Sequence, residues 1–124
     1  MDACTIEVYP HPALLSLMRR SRRVPYKVSK SRTYWPELTA RERIDSIVRE
    51  LAAIEDALKE RFGALPFTTP AADEVHTFSA LKRHEDALDA LVCAWVGTEF
   101  LAGAAVPLGD ATAAIWCPRD AVYA

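Results

Sequence analysis

A chain of 124 residues, 51% hydrophobic and 26% charged, has the length of one domain and enough apolar material for a small core. These figures exclude a disordered chain, and a net charge of −2 excludes a histone-like polycation. The longest stretch free of polar residues, Gly and Pro in the helical half, Ala90 to Val96, is too short to span a bilayer.

Met1-Asp2-Ala3-Cys4 carries no basic stretch followed by an apolar one, so no signal peptide is expected and the chain reads as cytoplasmic. Cys4, Cys93 and Cys117 lie among apolar neighbours and form no CxxC pair, which predicts reduced, buried thiols. Ala3 to Tyr9 reads as a strand, because Cys4, Ile6 and Val8 alternate with Thr5, Glu7 and Tyr9. Pro10 and Pro12 stop it. A short helix follows over Ala13 to Arg20, with Leu14, Leu17 and Met18 on one face.

Next comes a basic stretch. Residues 1–32 carry a net +5 and residues 33–124 a net −7. All seven early cations, Arg19, Arg20, Arg22, Arg23, Lys27, Lys30 and Arg32, lie within one run that holds no acid. Pro25 argues against a continuous helix there, so the run reads as an exposed loop with Tyr26, Tyr34 and Trp35 in and beside it. Cations beside stacking surfaces suit single-stranded or distorted nucleic acid, although a solvated loop has the same composition.

Thr39-Ala40-Arg41-Glu42 is a capping box that opens a long helix. Its apolar stripe runs through Ile44, Ile47, Val48, Leu51, Ile54 or Ala57, Leu58 and Phe62, and Gly63 is placed to end it. Residues 64–77, with Pro66 and Pro70, form a connector. A second long helix spans Phe78 to Leu101, with Leu81, His84, Leu88, Leu91, Val92 and Trp95 towards a core. Gly103 and Pro107 end it, and Ala113 to Cys117 reads as a final strand stopped by Pro118. Two strands are too few for a stable sheet, so a partner chain or a second copy is expected to complete it.

Asp89 is the one polar side chain between Ala87 and Val96, and it lies near Val92, Cys93 and Val96 on the helical wheel. Glu85 and Asp86 precede it by four and three residues, which sets carboxylates side by side. A cation must offset them: a basic side chain such as Lys82, in an ordinary ion pair, or a divalent metal. Glu7, on the polar face of its strand, is ordinary if that face meets solvent. No spacing marks a zinc site, a phosphate loop or a nucleophile elbow.

Two segments together resemble a known family: Ile6-Glu7-Val8-Tyr9-Pro10-His11-Pro12-Ala13-Leu14-Leu15, and Lys82-Arg83-His84-Glu85-Asp86-Ala87-Leu88-Asp89-Ala90-Leu91-Val92-Cys93-Ala94-Trp95. They are similar to an uncharacterised domain-of-unknown-function family of predicted nucleases with a ribonuclease-H-like fold. More distantly, Asp86-x-x-Asp89-Ala90 resembles the last-helix motif of Holliday-junction resolvases, and Glu7 their central-strand glutamate. The resemblance implies that Glu7, Asp86 and Asp89 hold Mg2+ or Mn2+ for phosphodiester hydrolysis. It also implies a departure, since the family's first-strand aspartate has no counterpart here and Asp2 stands at the wrong point in the order.

The expectation is therefore one helix-rich α/β domain over residues 1–124: strand, short helix, two long helices and final strand. It resembles the C-terminal half of a ribonuclease-H-like nuclease, and that resemblance implies a chain incomplete or inactive without another. The alternatives are a non-catalytic nucleic-acid-binding or protein-interaction module, and a small domain that dimerises for an unrelated role.

Overall fold

The computed structural model describes residues 5–110 and 112–119. In chain order the elements are α1 (Pro10–Met18), a 3-10 turn (Val28–Lys30), α2 (Ser31–Tyr34), α3 (Ala40–Phe62), a second 3-10 turn (Ala72–Glu74), α4 (Phe78–Leu101), β1 (Ala105–Gly109) and β2 (Ala114–Pro118). The chain is a helix-rich α/β protein with four α-helices and a two-stranded antiparallel sheet among the described residues. No described helix is long and apolar enough to cross a membrane. The residues gather into two compact units, one from the two ends of the chain (1–23 and 90–124) and one from Val24–Asp89.

The unit Val24–Asp89 is built on α3. The capping box is present in full: Glu42 N–H donates to Thr39 Oγ1 at 3.2 Å, and Thr39 N–H donates to Glu42 Oε1 at 3.0 Å. The stripe Ile44, Ile47, Val48, Leu51, Ile54 and Leu58 is buried as its spacing requires. Phe62 is 40% exposed instead, because α3 ends there at the left-handed Gly63 (φ 85°). The connector 64–77 is fastened to this helix. Arg41 donates to the carbonyls of Ala72 and Val75, and both carboxylate oxygens of Glu55 accept from Thr69 N–H at 3.1–3.2 Å. From α4, Leu81, Glu85 and Leu88 are fully buried in this unit.

The basic stretch is exposed at Arg19, Arg22, Arg23, Lys30 and Arg32 but turns inward between them. Val24, Tyr26 and Val28 are buried in alternation, and the chain then tightens into the 3-10 turn and α2. The period-two apolar pattern overrides the charge of the residues between.

In the unit formed by the chain ends, α1 begins at Pro10, three residues before the sequence-based start. Both prolines fall in its first turn, where the missing N–H costs nothing. It ends at Met18 because Arg19 turns left-handed (φ 52°). Ala13, Leu14 and Leu17 form its buried face. The C-terminal half of α4 buries Val92, Trp95 and Val96. The helix closes in a Schellman motif, with Ala104 N–H on Glu99 O at 2.8 Å and Gly103 N–H on Phe100 O at 3.1 Å.

The sheet differs from expectation at both ends. The predicted strand over Ala3 to Tyr9 is not a strand in its described part. Residues 5–9 keep the alternation, with Ile6 and Val8 half-buried between exposed neighbours. Their one backbone bond to the sheet among the described residues is Trp116 N–H to Glu7 O at 2.8 Å, too little for a ladder. Ala3 and Cys4 lie outside the described residues, as does Asp2. The final strand is present as β2, and its partner is β1, which pairs Ala105 with Pro118 through Gly109 with Ala114. Pro107, read in sequence as a stop, sits inside β1 opposite Trp116. The turn is held by Asp110, whose Oδ1 accepts from Thr112 N–H, Thr112 Oγ1 and Ala113 N–H, and these bonds hold its carboxyl below the usual range. Cys117 is buried, which pushes its thiol up, whereas Cys93 is half-buried, and neither forms a disulfide.

Candidate carboxylate site on α4

Glu85, Asp86 and Asp89 occupy one turn of α4, and each offers a carboxylate oxygen within 4.8 Å of the others. Their environments differ. Glu85 is wholly buried, Asp89 half-buried and Asp86 exposed. Glu85 is drawn inward because it follows Leu81 by four residues and precedes Leu88 by three, on the buried stripe itself.

The segment Tyr26-Lys27-Val28 meets these groups. Val28 N–H donates to Glu85 Oε1 at 2.8 Å, and the Tyr26 hydroxyl donates to Asp89 Oδ1 at 2.6 Å. The Lys27 ammonium donates to Glu85 Oε2 at 3.1 Å and to Asp89 Oδ2 at 2.5 Å, with its Nζ 4.9 Å from the centre of the Tyr26 ring. On the outer side, Lys82 bonds Glu85 Oε2 at 2.9 Å and pairs with Asp86 Oδ1 at 3.1 Å. Two ammonium groups thus serve three carboxylates, and one negative charge is left over.

Titration follows from this arrangement. Burial, and then the bond to Asp89, pushes the Tyr26 phenol far above its ordinary range. Burial works against the charge of Lys27, but the bonds to Asp89 and Glu85 outweigh it and raise its pKa. Lys82 is raised by its bonds to Glu85 and Asp86.

The structure thus brings Asp86 and Asp89 together and adds Glu85, which sequence reasoning noted as a neighbour but did not place in the site. The signal was present in the i+4 and i−3 spacing from Leu81 and Leu88. Tyr26 and Lys27 were missed as partners of the acids. The Val24-x-Tyr26-x-Val28 alternation marks the segment as inward-going, but its partner 57 to 63 positions away left no local trace.

Glu7 belongs to the other unit and is exposed. Its carboxylate accepts from the Tyr9 hydroxyl, whose pKa it raises. It borders a cleft of about 580 Å³ shared with Thr5, Asp110 and Trp116. Of the predicted basic residues, Arg19, Arg22, Arg23, Lys30 and Arg32 are exposed and Arg20 is half-buried. Lys27 departs from the expected solvent-facing role, because two carboxylates hold its ammonium.

Fold and cluster together define a helix-rich α/β protein with a hard, all-oxygen acidic group on its last helix. Residues 1–113 match the family described as "Protein of unknown function (DUF429)", and the chain belongs to that family. No curated protein and no solved structure matches the chain.

Proposed function

We propose that the α4 cluster is the helix-borne half of a metal-dependent phosphodiesterase site of ribonuclease-H-like type, acting on nucleic acid. The observation that supports this is the surplus negative charge: three converging carboxylates, one of them wholly buried, retain a net −1 with both lysines bound. The surplus sits at the exposed Asp86, beside the buried Glu85 and half-buried Asp89, and carboxylates gathered in this way are concentrated at functional sites.

The donors suit Mg2+ or Mn2+, which prefer carboxylate oxygens. Fit requires the Lys27 ammonium to withdraw from between Glu85 and Asp89, and its side chain already reaches solvent at 24% exposure. A bound divalent cation supplies Lewis-acid charge at a phosphodiester. The chain's own residues do the positioning. Val28 N–H fixes one oxygen of Glu85, Tyr26 orients Asp89, and Lys82 holds Asp86 towards the same turn.

A second reading rests on Lys27. Both Glu85 oxygens and both Asp89 oxygens already accept hydrogen bonds, so the cluster also serves as a latch fastening residues 26–28 to α4. The protein is then a non-catalytic binding module.

Mn2+ titration, followed by calorimetry and by thermal unfolding, separates the two. Metal chemistry predicts Mn2+ binding that Asp89→Asn abolishes, and a larger Mn2+-induced rise in melting temperature for Lys27→Met than for the unsubstituted chain. Absence of Mn2+ binding in both proteins leaves the latch and removes the phosphodiesterase. Magnesium-dependent cleavage of single-stranded and duplex substrates, with a chelator control, then tests the activity itself.

A further inference from the structure

Beside α1, in the unit formed by the chain ends, lies a cleft of about 690 Å³, within the roughly 300–1,000 Å³ usual for small-ligand sites. Tyr9 and His11 bring aromatic rings to its lining, Pro12, Leu15 and Leu108 add aliphatic surface, and Arg23 brings a guanidinium. Among the described residues no carboxylate lines it. Tyr9 is 54% exposed and Leu108 39%, an unusual exposure for large apolar groups that share a concave surface. The neighbouring Glu7 carboxylate raises the pKa of the Tyr9 hydroxyl. Among the described residues no acid pairs with Arg23, and exposed Arg22 and Arg19 precede it in the same unit.

We infer that this cleft takes one unpaired nucleotide of a single-stranded nucleic acid, its base against Tyr9 and its phosphate at Arg23. Aromatic faces accept any base, whereas a paired base presents no free face to them. Arg22 and Arg19 supply charge for neighbouring phosphates, which favours a strand over a free nucleotide. The site shares its nucleic-acid ligand with the proposed function but none of its chemistry, and it involves no residue of the α4 cluster.

The test is fluorescence anisotropy of a labelled oligothymidylate at low salt with chelator present, so that hydrolysis and metal binding play no part. Tyr9→Ala is expected to weaken binding about tenfold, as loss of one base–aromatic stack does, with recovery in Tyr9→Phe. Arg23→Ala is expected to weaken it about fivefold and to lower the salt slope by about 1. Both side chains are exposed, and circular dichroism checks that the variants fold. Unchanged affinity in both variants overturns the site. So does equal affinity for a duplex of the same sequence, or displacement of the strand by uridine monophosphate at the strand's own concentration. Failure of magnesium-dependent cleavage, by contrast, removes the phosphodiesterase and leaves this site standing.

Discussion

The Lys27 ammonium lies 3.1 Å from Oε2 of Glu85, a residue 58 positions further along the chain with no exposed surface. It is the inner of two cations on that oxygen, and Lys82 is the outer one, with a side chain 49% exposed. The inner pair is the less exposed of the two, with the Lys27 side chain 24% exposed, so its loss should cost more than loss of the outer pair.

Lys27→Met should therefore destabilise the fold by about 3 kcal/mol, as loss of one partner of a buried pair does. Lys82→Met should cost under about 1 kcal/mol, in line with an exposed pair. Adding Glu85→Leu to Lys27→Met should recover most of the loss, because no buried carboxylate is then left short of its cation. Urea unfolding of the four proteins checks the order, and a double variant less stable than Lys27→Met would contradict it.

Alkaline pH should act on the same segment. Tyr26 has its pKa raised from 10.0 by burial and by Asp89, and Lys27 has its pKa raised from 10.5 by Asp89 and Glu85 against burial. Each is better protonated when folded, so each contribution is complete below the ordinary value and is lost as pH climbs above it. Stability should fall from about pH 10 upward. Tyr26→Phe should be less stable near neutrality by about 2 kcal/mol, the worth of a hydrogen bond to a charged acceptor. Its stability should also fall less steeply above pH 10. Parallel pH profiles of the two proteins would show that Tyr26 does not titrate against folding.

Elements with local causes were legible in the sequence. The Thr39 to Glu42 box and the stripe from Ile44 to Leu58 fix α3, and the start and end of α4 stand where its pattern places them. Asp86 and Asp89 were marked by their spacing. What escaped depends on distant partners. Tyr26 and Lys27 look like parts of a solvated basic run until α4 supplies two carboxylates. Conversely, Thr5 to Tyr9 has the pattern of a strand, but one backbone bond to Trp116 does not make a ladder. The hairpin was hidden by Pro107, which is tolerated in β1 because the strand lies at a sheet edge.

That hairpin depends on Gly109. Its φ is 141°, and a Cβ there would collide with the carbonyl oxygen of Ala113. Gly109→Ala should lower stability by about 1–3 kcal/mol through backbone strain, concentrated in β1 and β2. Hydrogen exchange should show faster amides at Val106 and Cys117, which face each other across the hairpin, while those of α3 stay protected. Uniform acceleration across both units would mean that the turn is not a local element.

His84 gives the acid side of the profile. Its Nε2 lies 2.8 Å from Thr69 Oγ1, and its ring meets Phe67 edge-on with centroids 5.1 Å apart. Burial lowers its pKa from 6.5, and Glu55 opposes that shift without reversing it. Around it stand Glu55, Lys59 on that carboxylate, and the Thr69 backbone bonded to the same group. A base with a depressed pKa is better deprotonated when folded, so its contribution is complete above about pH 6.5 and is lost as pH falls through the folded value. The connector 64–77 should loosen first, because Thr69 joins it to both long helices. His84→Gln keeps a hydrogen-bonding group for Thr69 but cannot charge. Its urea midpoint should change less between pH 7.5 and pH 5.5 than that of the unsubstituted chain. Equal shifts in the two proteins would assign the acid response to other groups.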